Sequence, residues 1–142
     1  MCWRCDKLKI KRAKQDIPVW KIVTSLTDNS CDNICKSLYA GHIYLKDKLE
    51  ITPIEFEVER NGIIGNTGFH SYSNKLKWEM TDDNFILIYK KKIFSNFKNY
   101  INSVGQSNAR IARFRIPKGY QYAENRYGEI ISSAIVFDGF ID

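Results

Sequence analysis

Several signatures that would declare an activity are missing from this sequence. It holds no glycine-rich phosphate loop, no H-E-x-x-H pair and no G-x-S-x-G elbow, which removes the common marks of nucleotide, zinc-peptidase and serine-hydrolase chemistry. Histidine is scarce, with only His42 and His70. No apolar run approaches the ~20 residues of a membrane-spanning helix. The opening Met-Cys-Trp-Arg-Cys-Asp-Lys lacks the apolar segment of a secretory signal. Internal repeats, low-complexity tracts and linker-like stretches are also absent. The expectation is one soluble, cytoplasmic domain with reduced thiols and no membrane partner.

What is present is a substantial core and an excess of positive charge. The 142 residues are 44% hydrophobic and 13% aromatic, which argues against disorder, and the net charge is +6. Such a balance suits an acidic partner: nucleic acid, an acidic protein face or a phosphate-bearing ligand. Much of the excess lies in a basic arm over residues 1–15, where Arg4, Lys7, Lys9, Lys11, Arg12 and Lys14 face only Asp6. Residues 16–142 read as a single α+β domain.

Periodicity supplies the elements. Ala112, Phe114 and Ile116 alternate with Arg113 and Arg115, predicting a half-buried strand over 110–116 that Pro117 ends and Gly119 turns. Residues 130–137 read as a well-covered closing strand, and 17–24 as an apolar strand interrupted by Lys21. Ile54, Phe56 and Val58 alternate with Glu55, Glu57 and Glu59, and Asn61-Gly62 reads as a hairpin turn. Ile93, Phe94, Phe97, Tyr100, Ile101 and Val104 recur at three- and four-residue spacing, predicting an amphipathic helix over about 93–104, stopped by Gly105. Ser30 could cap a further short helix through Cys35, and 84–89 fits either a strand or a helix start capped by Asp82 or Asp83. The expected architecture is therefore a small, mainly antiparallel sheet with one helix packed on it.

The candidate site residues follow from these elements. Lys21 is an isolated cation in an apolar strand, either at its end or aimed into a cleft. His70, Ser71 and Tyr72 form the densest polar cluster, with His70 and Tyr72 on one strand face and Ser71 on the other. Arg113 and Arg115 share a face, with Lys118 in the turn that follows. Tyr122 and Glu129 lie in the aromatic arm and at the start of the closing strand. Stacking on tyrosine with a cation on phosphate is a sequence-tolerant way to hold nucleic acid. Cys2 with Cys5, and Cys31 with Cys35, are close-spaced pairs that could hold zinc, remain free thiols or form disulfides.

The order of segments resembles a group of small proteins of unassigned activity carried by tailed bacteriophages and gut Bacteroidales-type bacteria. The segments that carry it are Gly68-Phe-His-Ser-Tyr72 and Ile116-Pro-Lys-Gly119 with the tyrosines and glutamates after it. This resemblance implies an accessory protein of a phage or mobile element. A remoter likeness is to ADP-ribosyltransferase-like folds. It would place Lys21 where that family has an NAD-contacting Arg or His, Ser71-Tyr72-Ser73 on the second strand, and Glu129 as the catalytic acid.

Three expectations of function follow. A non-enzymatic binding protein would engage a host or phage protein, or a nucleic acid or nucleotide, through a basic, tyrosine-rich surface and without a cofactor. An ADP-ribosyltransferase-like protein would bind NAD or a nucleotide through His70, Tyr72 and Glu129. A virion or assembly component would travel with the particle.

Overall fold

The computed structural model describes residues 3–25, 32–37, 41–81, 84–97 and 109–141. These form sixteen strands, numbered here in chain order, and no helix. The expected α+β class is thus corrected to an all-β fold. Within the span 93–104, residues Lys92–Phe97 are a strand, and 98–108 lie outside the described residues. The segments given alternative helical readings are also strands, at Ile34–Ser37 and Asn84–Tyr89. The proposed caps Ser30, Asp82 and Asp83 lie outside the described residues.

The centre of the molecule is a ring of strands. β3 (Ile17–Ser25) pairs along its length with β13 (Ala109–Ile116), from Ile17↔Ile116 to Thr24↔Ala109. On its other side β3 meets β9 (Phe69–Tyr72) through Trp20↔Tyr72. β9 pairs with β15 (Glu129–Ser132), and β13 pairs with β16 (Ala134–Phe140). Only Ser133 separates β15 from β16, so the last two are one strand bent at that residue, and the ring closes on itself. Ser132 sustains the bend by donating its Oγ hydrogen bond to the Ala134 carbonyl at 2.9 Å.

Shorter strands extend the ring. β2 (Lys11–Arg12) and β14 (Gln121–Glu124) continue it beyond β15. β6 (Leu49–Ile51) flanks β16. β4 (Ile34–Ser37) and β5 (Ile43–Leu45) continue from the far end of β3. Inside sit Val19, Val23, Phe114, Ile130, Ile135 and Phe137, all buried, with Cys35 and Tyr44 from β4 and β5. The alternation in β13 makes this possible: Ala112, Phe114 and Ile116 face in, and Arg113 and Arg115 face out.

Two three-stranded antiparallel sheets cover the outer face. One contains β1 (Trp3–Cys5), β8 (Gly62–Thr67) and β7 (Glu55–Glu59). It is anchored by Trp3, which packs with Ala123 and Ile131 and donates its indole N–H to the Glu129 carbonyl at 2.8 Å. Gly65 and Gly68 have no room for a side chain here, since a Cβ on either would come within 2.6 Å and 2.5 Å of Ile131. The other sheet contains β10 (Leu76–Thr81), β11 (Asn84–Tyr89) and β12 (Lys92–Phe97). It lays Leu76, Phe85 and Leu87 on Trp20, Ile22 and Ile111. The basic lead-in therefore contributes two paired strands and a core tryptophan. In the acidic hairpin the two-residue loop is Arg60-Asn61, one position earlier than the sequence suggests, because Glu59 pairs with Gly62.

Candidate functional site

The pairing of Trp20 with Tyr72 decides how the candidate residues divide. Residues opposite each other across a ladder share a face, so Trp20, His70, Tyr72 and Glu129 look outward from the ring, whereas Lys21 and Ser71 look inward. The three positions of the ADP-ribosyltransferase-like reading are thus split between two sides of one sheet.

Lys21 lies mid-strand, half-buried, rather than at a strand end. Its Nζ donates to the Tyr44 hydroxyl at 3.3 Å and stands 5.2 Å from the Tyr44 ring centre and 5.7 Å from that of Phe114. Burial lowers its ammonium to about 8, with Cys35 opposing. Burial likewise pushes the Cys35 thiol up to about 12, against the pull of Lys21, and raises the Tyr44 phenol. At neutral pH the cluster therefore holds a protonated thiol, a neutral phenol and a weakened ammonium. Ser71 is also buried, and its Oγ has no hydrogen-bond partner among the described residues. Phe69, Tyr44 and the exposed His42 stand side by side at the rim, with ring centres 4.6–6.3 Å apart.

On the outer face His70 is half-buried, opposite Ile131 and beside Tyr72. Its ladder partner Ile131 belongs to the Trp3 cluster and its same-face neighbour Tyr72 packs on the Trp20 cluster, which puts its backbone position between the two. Burial, with Lys21 adding, lowers its imidazole to about 4, so it is neutral at pH 7. Tyr72 packs on Trp20 with ring centres 4.7 Å apart, and Trp20 donates its indole N–H to the Ser73 carbonyl.

Glu129 serves a turn. Asn125 donates Nδ2 to its carboxylate at 2.7 Å and to the Arg4 carbonyl at 3.0 Å, while Asn125 Oδ1 accepts the backbone N–H groups of Tyr127 and Glu129. Burial raises the Glu129 carboxyl, and the Asn125 bond opposes that rise. Neighbouring Glu124 is ion-paired with Lys75 at 2.8 Å. The acid proposed for catalysis is thus committed to holding the β14–β15 hairpin. Asn125, buried and bonded on both sides of its amide, escaped notice in the sequence; an Asn opening a four-residue turn that ends in Gly128 was the available signal.

The cations differ in their freedom. Arg115 is paired with Asp138 and lies 3.7 Å from Asp16. Arg113 is exposed on the same face, and Lys118 is exposed in the turn, held by its backbone N–H on Asp16. Tyr122 is half-buried against the ring interior. Of the cysteines, Cys2 and Cys31 lie outside the described residues, while Cys5 and Cys35 are free thiols in different clusters. No group of three metal-ligating side chains occurs among the described residues.

A second constellation sits at the tip of the β11–β12 hairpin. Tyr89 pairs with Lys92, which leaves Lys90-Lys91 as a two-residue loop, and both loop residues have positive φ, at 50° and 66°. Tyr89, Lys90, Lys92, Ile93 and Phe94 line a surface recess of about 290 Å³. Tyr127 packs on two of these rings, 5.5 Å from Tyr89 and 4.8 Å from Phe94, and the exposed Arg126 lies over it at 4.7 Å. Sequence reading treats 90–92 as a solvated basic run and assigns Phe94 to a helix, which separates groups that the hairpin brings together.

No helix among the described residues is long and apolar enough to cross a membrane. No protein-family model matches this sequence, and no curated protein or solved structure shows significant similarity to it.

Proposed function

We propose that this chain is a non-enzymatic binding protein that engages an acidic partner through a basic, tyrosine-rich surface. One contrast carries the reading. The acidic groups near the candidate residues already have partners within the chain, Glu129 with Asn125, Glu124 with Lys75, Asp138 with Arg115, and Asp16 with Arg115 and the Lys118 backbone N–H. The side-chain cations of the exposed Arg113, Lys118, Lys90, Lys91 and Lys92 have no carboxylate paired with them among the described residues. Unpaired surface cations attract an oppositely charged partner and speed its encounter. The resemblance to small phage and Bacteroidales-type proteins makes that partner a host or phage macromolecule and the chain an accessory of a mobile element.

The test is affinity capture from the native host with the purified chain, read by mass spectrometry at low and high salt. An acidic partner retained at low salt and released at high salt is expected, with retention falling in Arg113→Glu/Lys118→Glu. Retention indifferent to both salt and charge reversal would sink the reading.

An NAD- or nucleotide-binding role has one observation in its favour, that His70, Tyr72 and Glu129 share a face on adjacent strands. A calorimetric titration with NAD, with His70→Ala as control, decides it: saturable binding lost in the variant is required.

A further inference from the structure

The Lys90-Lys91 loop is unusual for a reason internal to this chain. A two-residue hairpin loop with both φ values positive favours Asn-Gly or a similar pair, because a Cβ crowds the left-handed conformation. Elsewhere among the described residues such conformations fall to glycine, with Asp47 the one other exception. Here two lysines occupy them, and a third follows at Lys92. Backbone strain held at an exposed loop tip points to selection for what the side chains do there.

What surrounds the loop narrows the choice. The recess beside it has aromatic walls, Tyr89 and Phe94, and an apolar lip, Ile93, which is 65% exposed. Lys90 and Lys92 border the same recess, and Arg126 lies near it, its carbonyl accepting the Tyr89 hydroxyl at 3.1 Å and its guanidinium resting over the Tyr127 ring. Flat apolar walls fit a planar ring, and flanking cations fit a phosphate on either side of it. A duplex would present the phosphates but keep its bases stacked. An acidic peptide would present charge but no flat group for the recess.

Building on the binding reading above, we infer that the β11–β12 hairpin tip is a contact site for single-stranded nucleic acid. One base enters the recess between Tyr89, Phe94 and Ile93, and the flanking phosphates lie on Lys90, Lys91, Lys92 and Arg126. Such contacts are tolerant of sequence and weaken with salt.

The test is fluorescence anisotropy on the intact chain, with labelled oligothymidylate of about ten nucleotides, a duplex of equal length and a poly-glutamate peptide. The wild type should prefer the single strand over the other two by roughly tenfold or more. Two variants separate chemistry from folding. Lys90→Asn/Lys91→Gly gives the loop residues that suit its backbone, so the fold is kept or strengthened. The slope of log affinity against log salt should nevertheless fall by about 1.4. Ile93→Glu alters an exposed lip and should weaken binding roughly tenfold or more, with the melting temperature held. Equal binding of the duplex or the peptide, no binding of the single strand, or unchanged affinity in both variants would overturn the inference. Single-strand affinity and salt slope unchanged in the Asn-Gly variant, while a salt-sensitive partner is still captured from the host, would overturn this site alone and leave the broader binding reading standing.

Discussion

The two small sheets that cover the outer face of the ring are built alike and charged oppositely. Each is three-stranded and antiparallel, and each seats aromatic or aliphatic side chains on the same face of the same ring. The β1–β8–β7 sheet turns Glu55, Glu57 and Glu59 outward and is seated by one fully buried large side chain, Trp3, with Ile54 and Phe56 partly buried beside it. The β10–β11–β12 sheet shares its seat among Leu76, Phe85 and Leu87 and carries the lysine loop. Attachment and display are therefore separate properties of these covers: the buried residues fix the sheet, and the hairpin tip sets its charge.

The largest effect should come from the single anchor. Trp3→Ala should cost about 3–5 kcal/mol in urea unfolding, because it also leaves the Glu129 carbonyl without its indole donor. Leu87→Ala should cost less, roughly 2–3 kcal/mol, since Leu76 and Phe85 remain to hold that sheet. Equal losses would break the contrast between single and shared anchorage.

The position between the two clusters should respond to acid. His70 is lowered from 6.5 to about 4 in the folded chain. The unfolded chain therefore takes up its proton first, and stability falls as pH drops from 6.5 towards 4, by roughly 2–3 kcal/mol. His70→Gln should flatten that part of the stability curve, measured by denaturant titration at several pH values.

The basic tip should be less stable than its own backbone allows. Lys90→Asn/Lys91→Gly should raise stability by about 1 kcal/mol, visible as a higher melting temperature. The acidic edge should be nearly silent. Glu57→Gln removes a solvent-facing carboxylate whose partner among the described residues is the exposed Asn66 and should change stability by less than about 0.5 kcal/mol.

The legible parts of the sequence were those where alternation or composition favoured a strand. The strand at 110–116 and the acidic hairpin strand read directly, because a period of two fits a strand and does not fit a helix, and those at 17–24 and 130–137 read from their β-branched and aromatic runs. Where the expected helix over 93–104 is described, at 93–97, a strand stands instead, for a local reason. In the β11–β12 ladder Ile88 pairs with Ile93 and Leu87 with Ser95, so Phe94 is an extra, bulged residue. A bulge breaks the two-residue period and leaves Phe94 and Phe97 three apart, as on a helix. The candidate residues were only partly legible. Opposite faces for Ser71 and for His70 with Tyr72 followed from alternation. The lysine–tyrosine contact did not, because Tyr44 reaches Lys21 through β4 and β5, a connection that no local pattern encodes. Glu129 was identified by position along the chain, whereas its role is set by Asn125, four residues earlier and across a turn.

The bend at Ser133 has a consequence for how the molecule opens. One strand is bonded to β9 before the bend and to β13 after it, so neither joint can part without pulling on the other. The backbone amides of 129–137 should then exchange with deuterium as one cooperative block, slower than those of either covering sheet.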